Sequence, residues 1–143
     1  MATQVYFEDV KAGDMIPEIA KQPTTQQLVW WAAGSGDFYQ IHYDKDFAIG
    51  TGLDGIIVHG ALKHAFLGEL LWDWVQPAGR VRKVGCSYRG MDVPDQKFTL
   101  KGKVTRTYRE GANNFVEVEI WGENTAGQKT TPGTGVVTLP ARG

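Results

Sequence analysis

The sequence predicts an α+β fold in which an antiparallel sheet wraps around one long central helix. The longest helical pattern covers residues 59–76 and is apolar on almost every side, which is typical of a helix enclosed by other structure. Strand-like segments follow at residues 80–89, 98–104, 116–120 and 135–139, and the second and third alternate apolar with charged side chains. An antiparallel sheet that encloses the long helix accommodates this order of predicted helices and strands.

Two shorter elements precede the long helix. Residues 15–21 predict a strand that Pro17 interrupts. A short helix over residues 26–33 has candidate caps at both ends, namely Thr24 or Thr25 before it and Gly34 and Gly36 after it. The polar, glycine-containing stretch that follows predicts a loop with one helical turn at residues 45–49, which Asp44 is suited to cap.

Composition limits the classes of protein that fit this chain. Its 143 residues suit a single domain over residues 1–143, and 42% hydrophobic with 22% charged residues argues against disorder. A net charge of −1 predicts no nucleic-acid surface. The single cysteine, Cys86, excludes an internal disulfide and a zinc–thiolate cluster. No apolar run approaches the roughly 20 residues of a membrane span, and the first residues lack a signal-peptide layout. We therefore expect no membrane contact and a cytoplasmic location.

The polar stretch carries candidate catalytic residues. Asp37 and His42 lie in a loop that begins with glycines, so both side chains can point into one pocket. A carboxylate and an imidazole that share a site can hold one water molecule, with one group removing a proton and the other delivering one. Hydration of a double bond requires this pair of actions. Taken singly, an aspartate beside glycine is more often a turn former, and a lone histidine is more often structural.

The start of the predicted long helix is a second candidate site. The first backbone N–H groups of a helix have no partner within it, and the helix dipole adds partial positive charge there. Gly60, which follows His59, has no side chain to keep a carbonyl oxygen away from its N–H. Such a donor stabilises the enolate that forms when a thioester gains or loses a proton at its α-carbon.

These residues occur in an order that resembles the motif of one family. The chain reads Ser35-Gly36-Asp37, Ile41-His42, Asp44, Gly52-Leu53 and Ile57-Val58-His59-Gly60-Ala61-Leu62. This order resembles the MaoC-like hot-dog hydratases and dehydratases, which include (R)-specific enoyl-CoA hydratases and 3-hydroxyacyl dehydratases. The resemblance implies a hot-dog fold and a hydro-lyase acting on the 2,3 double bond of an enoyl or (3R)-hydroxyacyl thioester of CoA or acyl carrier protein. It implies no metal and no organic cofactor.

The resemblance also implies a role for each site residue. Asp37 and His42 would bind and activate water, with the choice of base and acid left open. The Gly60 N–H would polarise the thioester carbonyl, with His59 beside it at the substrate. Where the family usually has Asn-Pro before Ile-His, this chain has Tyr39 and Gln40. The stiff proline is absent, and we expect these two residues to stand beside the catalytic pair and to affect which substrate binds.

Other functions stay open at this point. One is a non-catalytic or half-site subunit of a heteromeric acyl-CoA dehydratase, although a passive subunit needs neither Asp37 nor His42. Another is a hot-dog thioesterase, and a third is a module that binds acyl-CoA without turnover. One curved sheet leaves an edge strand unpaired, so we expect at least a dimer, a homodimer or a heteromer with a second hot-dog subunit.

Overall fold

The computed structural model of the protein describes residues 3–143. In chain order the strands and helices are β1 (Ile19–Lys21), α1 (Thr25–Ser35), α2 (Lys45–Gly50), α3 (Gly60–Val75), β2 (Arg80–Cys86), β3 (Phe98–Glu110), β4 (Asn113–Glu123) and β5 (Lys129–Thr138). Short 3-10 turns occupy Phe7–Asp9 and Gln40–His42. In this part of the chain, no helix combines the length and the apolar character needed to cross a membrane.

The five strands form one antiparallel sheet in the order β1-β3-β4-β5-β2. The predicted antiparallel arrangement, with four strands after the long helix, is confirmed. β1 and β2 are the edge strands. Because β2 has seven residues and β1 only three, β2 presents the longer unpaired edge.

Helix α3 packs against one face of this sheet and forms the core with it. Its fully buried side chains include Leu67, Leu71 and Val75. They join buried side chains of the three central strands, namely Leu100, Val104, Val116, Val118, Ile120 and Val137. The approach is close at Gly135, where a Cβ would lie 2.4 Å from Cδ1 of Leu71. Glycine at this position therefore lets β5 meet the helix.

The predicted helix caps are confirmed. Thr24 caps α1 by accepting a hydrogen bond from the N–H of Gln27 at 3.1 Å, and Gly36 ends the helix in the left-handed region at φ 79°. Asp44 caps α2 by accepting from the N–H of Phe47 at 3.0 Å. These caps set both ends of the loop that carries the candidate catalytic residues.

Several strand boundaries differ from the prediction. Within residues 15–21 only β1 is a strand, and Met15 adds an isolated bridge to Lys103. Pro17 between them has no N–H to contribute to a ladder. β3, β4 and β5 are all longer than their apolar alternation predicted. Backbone pairing continues there through polar residues, because ladder hydrogen bonds do not depend on side-chain hydrophobicity.

One face of α3 departs from the predicted enclosure. Ala61, Ala65 and Trp72 are exposed, and their spacing places them along one side of the helix. On another side, α3 contacts the edge strand β2, where Nε2 of His64 lies 3.4 Å from the carbonyl oxygen of Val84. The described chain thus leaves both an apolar helix face and a sheet edge open.

Candidate active site

The loop after α1 begins with a tight turn that orients Asp37. The N–H of Asp37 donates to Oγ of Ser35 at 3.2 Å, and its own Oδ1 accepts from the N–H of Tyr39 at 3.4 Å. Side-chain to backbone bonds of this kind hold a turn in place. One carboxylate oxygen therefore serves the loop, and the other, Oδ2, is turned towards His42.

His42 is fixed from the opposite side of its ring. It ends the turn Gln40–His42 and is buried. Its Nδ1 lies 2.8 Å from the carbonyl oxygen of Ile57, whose N–H in turn donates to the carbonyl of Ile41 at 3.1 Å. Because a carbonyl oxygen only accepts, Nδ1 carries the proton in the neutral ring. The other nitrogen, Nε2, is then an acceptor.

The accepting nitrogen of His42 faces the second carboxylate oxygen of Asp37. Nε2 and Oδ2 are 3.9 Å apart. This separation is too long for a direct hydrogen bond, and it lets one water molecule contact both atoms. The His42 side chain is 9% exposed and that of Asp37 is 44% exposed, so the gap opens to solvent on the carboxylate side. The structure thus brings the predicted pair together.

His59 lies behind this pair. Its ring stacks on that of His42 with centroids 3.8 Å apart and planes 21° apart, and its Nε2 lies 3.3 Å from the carbonyl oxygen of Asp37. The side chain is fully buried, and within residues 3–143 its Nδ1 has no hydrogen-bond partner. Burial, and then the neighbouring His42, lowers the pKa of His59 below its ordinary value of 6.5. A neutral His59 therefore contacts both members of the pair.

The N-terminus of α3 opens beside Tyr88. His59 occupies the N-cap position and its side chain makes no capping hydrogen bond. A Cβ at Gly60 would lie 3.0 to 3.1 Å from three atoms of the Tyr88 ring, so the half-exposed phenol lies directly over this glycine. Tyr88 is not among the site residues predicted from the sequence, because it is distant from Gly60 along the chain. The fold alone brings it to Gly60.

Comparison with known proteins identifies the family of this chain. The family model described as the MaoC like domain matches residues 10–126, which include all of the candidate site. The chain belongs to the MaoC-like domain family. The resemblance found in the residues around Asp37, His42 and Gly60 is thereby confirmed.

Named relatives cover the chain to different extents. It is 25% identical over 122 residues to the 3-oxo-4,17-pregnadiene-20-carboxyl-CoA hydratase beta subunit of Mycobacterium tuberculosis, which covers 83% of this chain and 89% of that protein. Over 73 residues it is 38% identical to the fatty acid synthase beta subunit TOXC of Cochliobolus carbonum. That match spans 50% of this chain and 4% of the synthase subunit.

Solved structures confirm the hot-dog fold. The (R)-hydratase from A. caviae involved in PHA biosynthesis has a TM-score of 0.83 at 21% identity, over 93% of this chain and 99% of that one. R-hydratase PhaJ1 from Pseudomonas aeruginosa has a TM-score of 0.85 at 18% identity, over 97% and 88% of the two chains. A chain of the ChsH1-ChsH2 complex of Mycobacterium tuberculosis has a TM-score of 0.79 at 22% identity, and the match covers 90% of this chain and 98% of that one.

Tyr39 and Gln40, the departure from the MaoC-like motif, contribute differently to the site. The half-exposed ring of Tyr39 stands edge-on to the rings of His42 and Phe47, with centroids 6.3 and 6.0 Å away. Gln40 is exposed, and its backbone carbonyl accepts from the N–H of Asp44 at 2.8 Å. Tyr39 therefore borders Asp37 and His42 with its side chain, whereas Gln40 shapes the loop through its backbone.

A buried charged network lies one turn along α3 and was not predicted. Nζ of Lys63 contacts Oδ2 of Asp92 at 2.8 Å, and the hydroxyl of Thr130 donates to the same oxygen at 2.7 Å. The Asp92 carbonyl accepts from the N–H of Val58 at 2.8 Å, just ahead of the helix. The network thus connects the start of α3 to β5. The one feature of the sequence that could have indicated this network is a lysine at a core-facing position of an otherwise apolar helix.

Within residues 3–143, one group of side chains has the spacing of a possible metal site. It consists of Asp37, His42 and His59, whose ligand atoms lie within 4.8 Å of one another. A zinc ion lies about 2.1 Å from an imidazole nitrogen, in the plane of the ring. The two stacked rings are nearly parallel and 3.8 Å apart, so their planes do not meet at such a distance. The geometry suits a water molecule between Asp37 and His42 better than an ion.

Proposed function

We propose that this MaoC-like protein is a hydro-lyase that adds water across the 2,3 double bond of an enoyl thioester, or removes it from the (3R)-hydroxyacyl thioester. The observation that carries the proposal is the 3.9 Å gap between Nε2 of His42 and Oδ2 of Asp37. A water molecule in this gap has an accepting imidazole nitrogen on one side and a carboxyl group on the other, the two kinds of group that general acid–base catalysis uses. Membership of the MaoC-like family supports the same class of reaction.

In the hydration direction, we propose that His42 is the base and Asp37 the acid. This assignment requires a proton on the carboxyl group of Asp37 when the reaction begins. Nε2 of His42 removes a proton from the bound water, and the water oxygen attacks the β-carbon while the double-bond electrons move towards the thioester oxygen. Asp37 then delivers its proton to the α-carbon. A proton passing from His42 to Asp37 through the next water restores the pair, and dehydration is the reverse sequence.

The enolate oxygen requires a hydrogen-bond donor, and we propose the N–H of Gly60. It stands at the first position of a 16-residue helix whose N-cap side chain makes no capping bond. The partial positive charge at a helix N-terminus favours an anionic oxygen there. The carrier that fits this arrangement is CoA or acyl carrier protein, since both present the acyl group as a thioester.

We propose that the protein acts as at least a dimer. The open edge of β2 and the exposed face of α3, formed by Ala61, Ala65 and Trp72, are the surfaces available for pairing. The partner is either a second copy or a second hot-dog subunit. The presence of both Asp37 and His42 favours a catalytic role for this chain in either assembly. A monomer by light scattering at micromolar concentration would contradict this proposal.

The test is the loss of enoyl absorbance from crotonyl-CoA and from a longer and a branched enoyl-CoA. We expect turnover by the wild type and a loss of at least about 10²-fold in both Asp37→Asn and His42→Gln, the scale of general acid–base catalysis. Asp46→Asn is the matched control, because Asp46 is an exposed carboxylate on α2 outside the pair. Full activity in Asp37→Asn or His42→Gln would overturn the assignment.

Product analysis separates the other functions. Release of free CoA identifies a thioesterase, and tight binding without turnover identifies an acyl-CoA sensor. Turnover that appears only after a second hot-dog subunit is added identifies a half-site subunit. In that mixture, Asp37→Asn tells whether this chain supplies the acid–base pair.

A further inference from the structure

The loop between β2 and β3, residues 87–97, crosses the N-terminus of α3. Near its start, Tyr88 places its ring over Gly60. Further along, the carbonyl oxygen of Asp92 accepts a hydrogen bond from the N–H of Val58 at 2.8 Å. The loop therefore contacts the residue on either side of His59, where the enolate site is proposed.

Lys63 holds this loop against the helix. Its Nζ donates to the carbonyl oxygen of Gly90 at 3.0 Å and to Oδ2 of Asp92 at 2.8 Å. The same ammonium group lies 5.8 Å from the centroid of the Tyr88 ring, within the range of a cation–π contact. Because Lys63 follows Gly60 by three residues, the two lie on the same side of α3. One buried charge thus contacts the loop at three residues beside the proposed donor.

Thr130 of β5 anchors the other side of the loop. Its hydroxyl donates to the same Asp92 oxygen at 2.7 Å. Its carbonyl oxygen accepts from the N–H groups of Arg89 and Gly90 at 2.8 and 3.1 Å. A Cβ at Gly90 would lie 2.9 Å from Cγ2 of Thr130, so the loop passes directly over this residue. The sheet therefore sets where the loop lies, and the loop in turn sets where Tyr88 lies.

Stability alone does not account for this buried network. The side chains of Lys63 and Asp92 are 3% and 7% exposed, and Thr130 is also buried. Removing two charges from water costs free energy that can exceed the gain from their attraction. An apolar pair of similar size would serve the fold equally well, whereas directional hydrogen bonds hold a loop in one position.

We infer that Lys63, Asp92 and Thr130 are positioning residues for the proposed enolate site. Through the loop they hold the Tyr88 ring and the start of α3 in the arrangement that presents the Gly60 N–H to a thioester oxygen. The inference rests on the proposed function, because it takes this N–H as the donor to the enolate. Loosening the network should therefore weaken enolate stabilisation more than it weakens binding of a saturated thioester.

The test uses acetoacetyl-CoA, a 3-oxoacyl thioester that cannot be hydrated and whose enolate absorbs in the ultraviolet. In the wild type, we expect a larger enolate fraction for the bound ligand than for the free ligand at the same pH. Thr130→Val removes one hydroxyl and keeps the ion pair. It should lower the ratio of bound enolate to bound neutral ligand about tenfold and lower kcat for an enoyl-CoA by a similar factor. Its affinity for butanoyl-CoA, measured by calorimetric titration, should be unchanged.

Thr131→Val is the matched control. Thr131 is the next residue of β5 and is fully buried, and within residues 3–143 its Oγ1 has no hydrogen-bond partner. Both this variant and Thr130→Ser, which keeps the hydroxyl, should behave as the wild type. An unchanged enolate ratio in Thr130→Val overturns the inference, as does an equal loss in Thr131→Val.

Two further outcomes separate this inference from the proposed function. A wild type that does not favour the bound enolate overturns the inference, and if it still hydrates an enoyl-CoA, the hydro-lyase stands. Loss of the bound enolate in Thr130→Val, in a protein that hydrates no enoyl-CoA, supports the inference and removes the hydro-lyase.

Discussion

His59 stacks on His42 at a centroid distance of 3.8 Å while its Nε2 is held at the carbonyl oxygen of Asp37, 3.3 Å away. One buried ring therefore contacts both residues of the proposed acid–base pair. The contact with Asp37 holds the turn, and the stack holds the plane of the His42 ring. We propose that His59 is a positioning residue, in place of the substrate contact predicted for it from the sequence.

His59→Phe tests this role, because it keeps a flat ring and removes both the hydrogen bond and the titrating group. We expect kcat to fall by about fivefold, in line with the loss of one hydrogen bond worth about 1 kcal/mol, with a smaller change in KM. His59→Gln, which keeps a donor, should recover part of kcat. Steady-state kinetics on the preferred enoyl-CoA measures both. An unchanged kcat in His59→Phe would show that the stack alone, or neither contact, matters.

The same residue predicts how stability depends on pH. The folded-state pKa of His59 lies below the unfolded value of 6.5, so the unfolded chain takes up a proton first as the pH falls. Stability attributable to His59 is therefore complete above pH 6.5 and declines from there through the lower folded-state pKa. Urea midpoints across this window should fall less in His59→Phe than in the wild type. A curve for His59→Phe that falls as steeply as that of the wild type would contradict this account.

Gly60→Ala should affect activity through Tyr88. The new Cβ would lie 3.0 to 3.1 Å from the Tyr88 ring, which must move by a few tenths of an ångström. Because Tyr88 is half-exposed, we expect the protein to fold and the displaced ring to crowd the carbonyl site, lowering kcat/KM by about tenfold to 10²-fold. The double variant Gly60→Ala/Tyr88→Ala should recover most of this loss. If it does not, the methyl group itself blocks the N–H.

Breaking the Lys63–Asp92 pair should destabilise the protein strongly. Both side chains are buried, so removing one leaves an uncompensated charge, and Lys63→Met alone should cost about 3–5 kcal/mol in free energy of unfolding. Replacing both, as in Lys63→Met/Asp92→Leu, should cost much less, because no buried charge then lacks a partner. Urea denaturation of the wild type, the single variant and the double variant measures the three free energies of unfolding. Equal losses in the single and double variants would contradict this account.

Two glycines should respond to alanine in opposite directions. A Cβ at Gly122 would lie 2.0 Å from Cζ of the buried Phe98, so Gly122→Ala should lower the free energy of unfolding by about 1–3 kcal/mol. Gly68 lies in the middle of α3 with open space around its missing side chain, so Gly68→Ala should raise it by about 1 kcal/mol. Thermal or urea unfolding measures the stability of each variant against that of the wild type. Phe98→Leu in the Gly122→Ala background should recover part of the loss.

The sequence by itself determined the local features of this protein. The caps at Thr24 and Asp44, the length of α3 and the loop position of Asp37 and His42 all depend on residues a few places apart, which a sequence shows directly. The order of the motif residues was enough to identify the family. Strand ends were less predictable, because β3 to β5 extend by backbone pairing through polar residues.

Only the tertiary structure decided what each buried side chain and each candidate catalytic side chain faces. The stack of His59 on His42, the phenol of Tyr88 over Gly60 and the Lys63–Asp92 pair each join residues distant in the chain. Periodicity shows which face of a helix or strand is buried, and it contains no information about the opposing element. The 3.9 Å gap between His42 and Asp37 likewise depends on the carbonyl of Ile57, which fixes the imidazole from a separate segment of the chain.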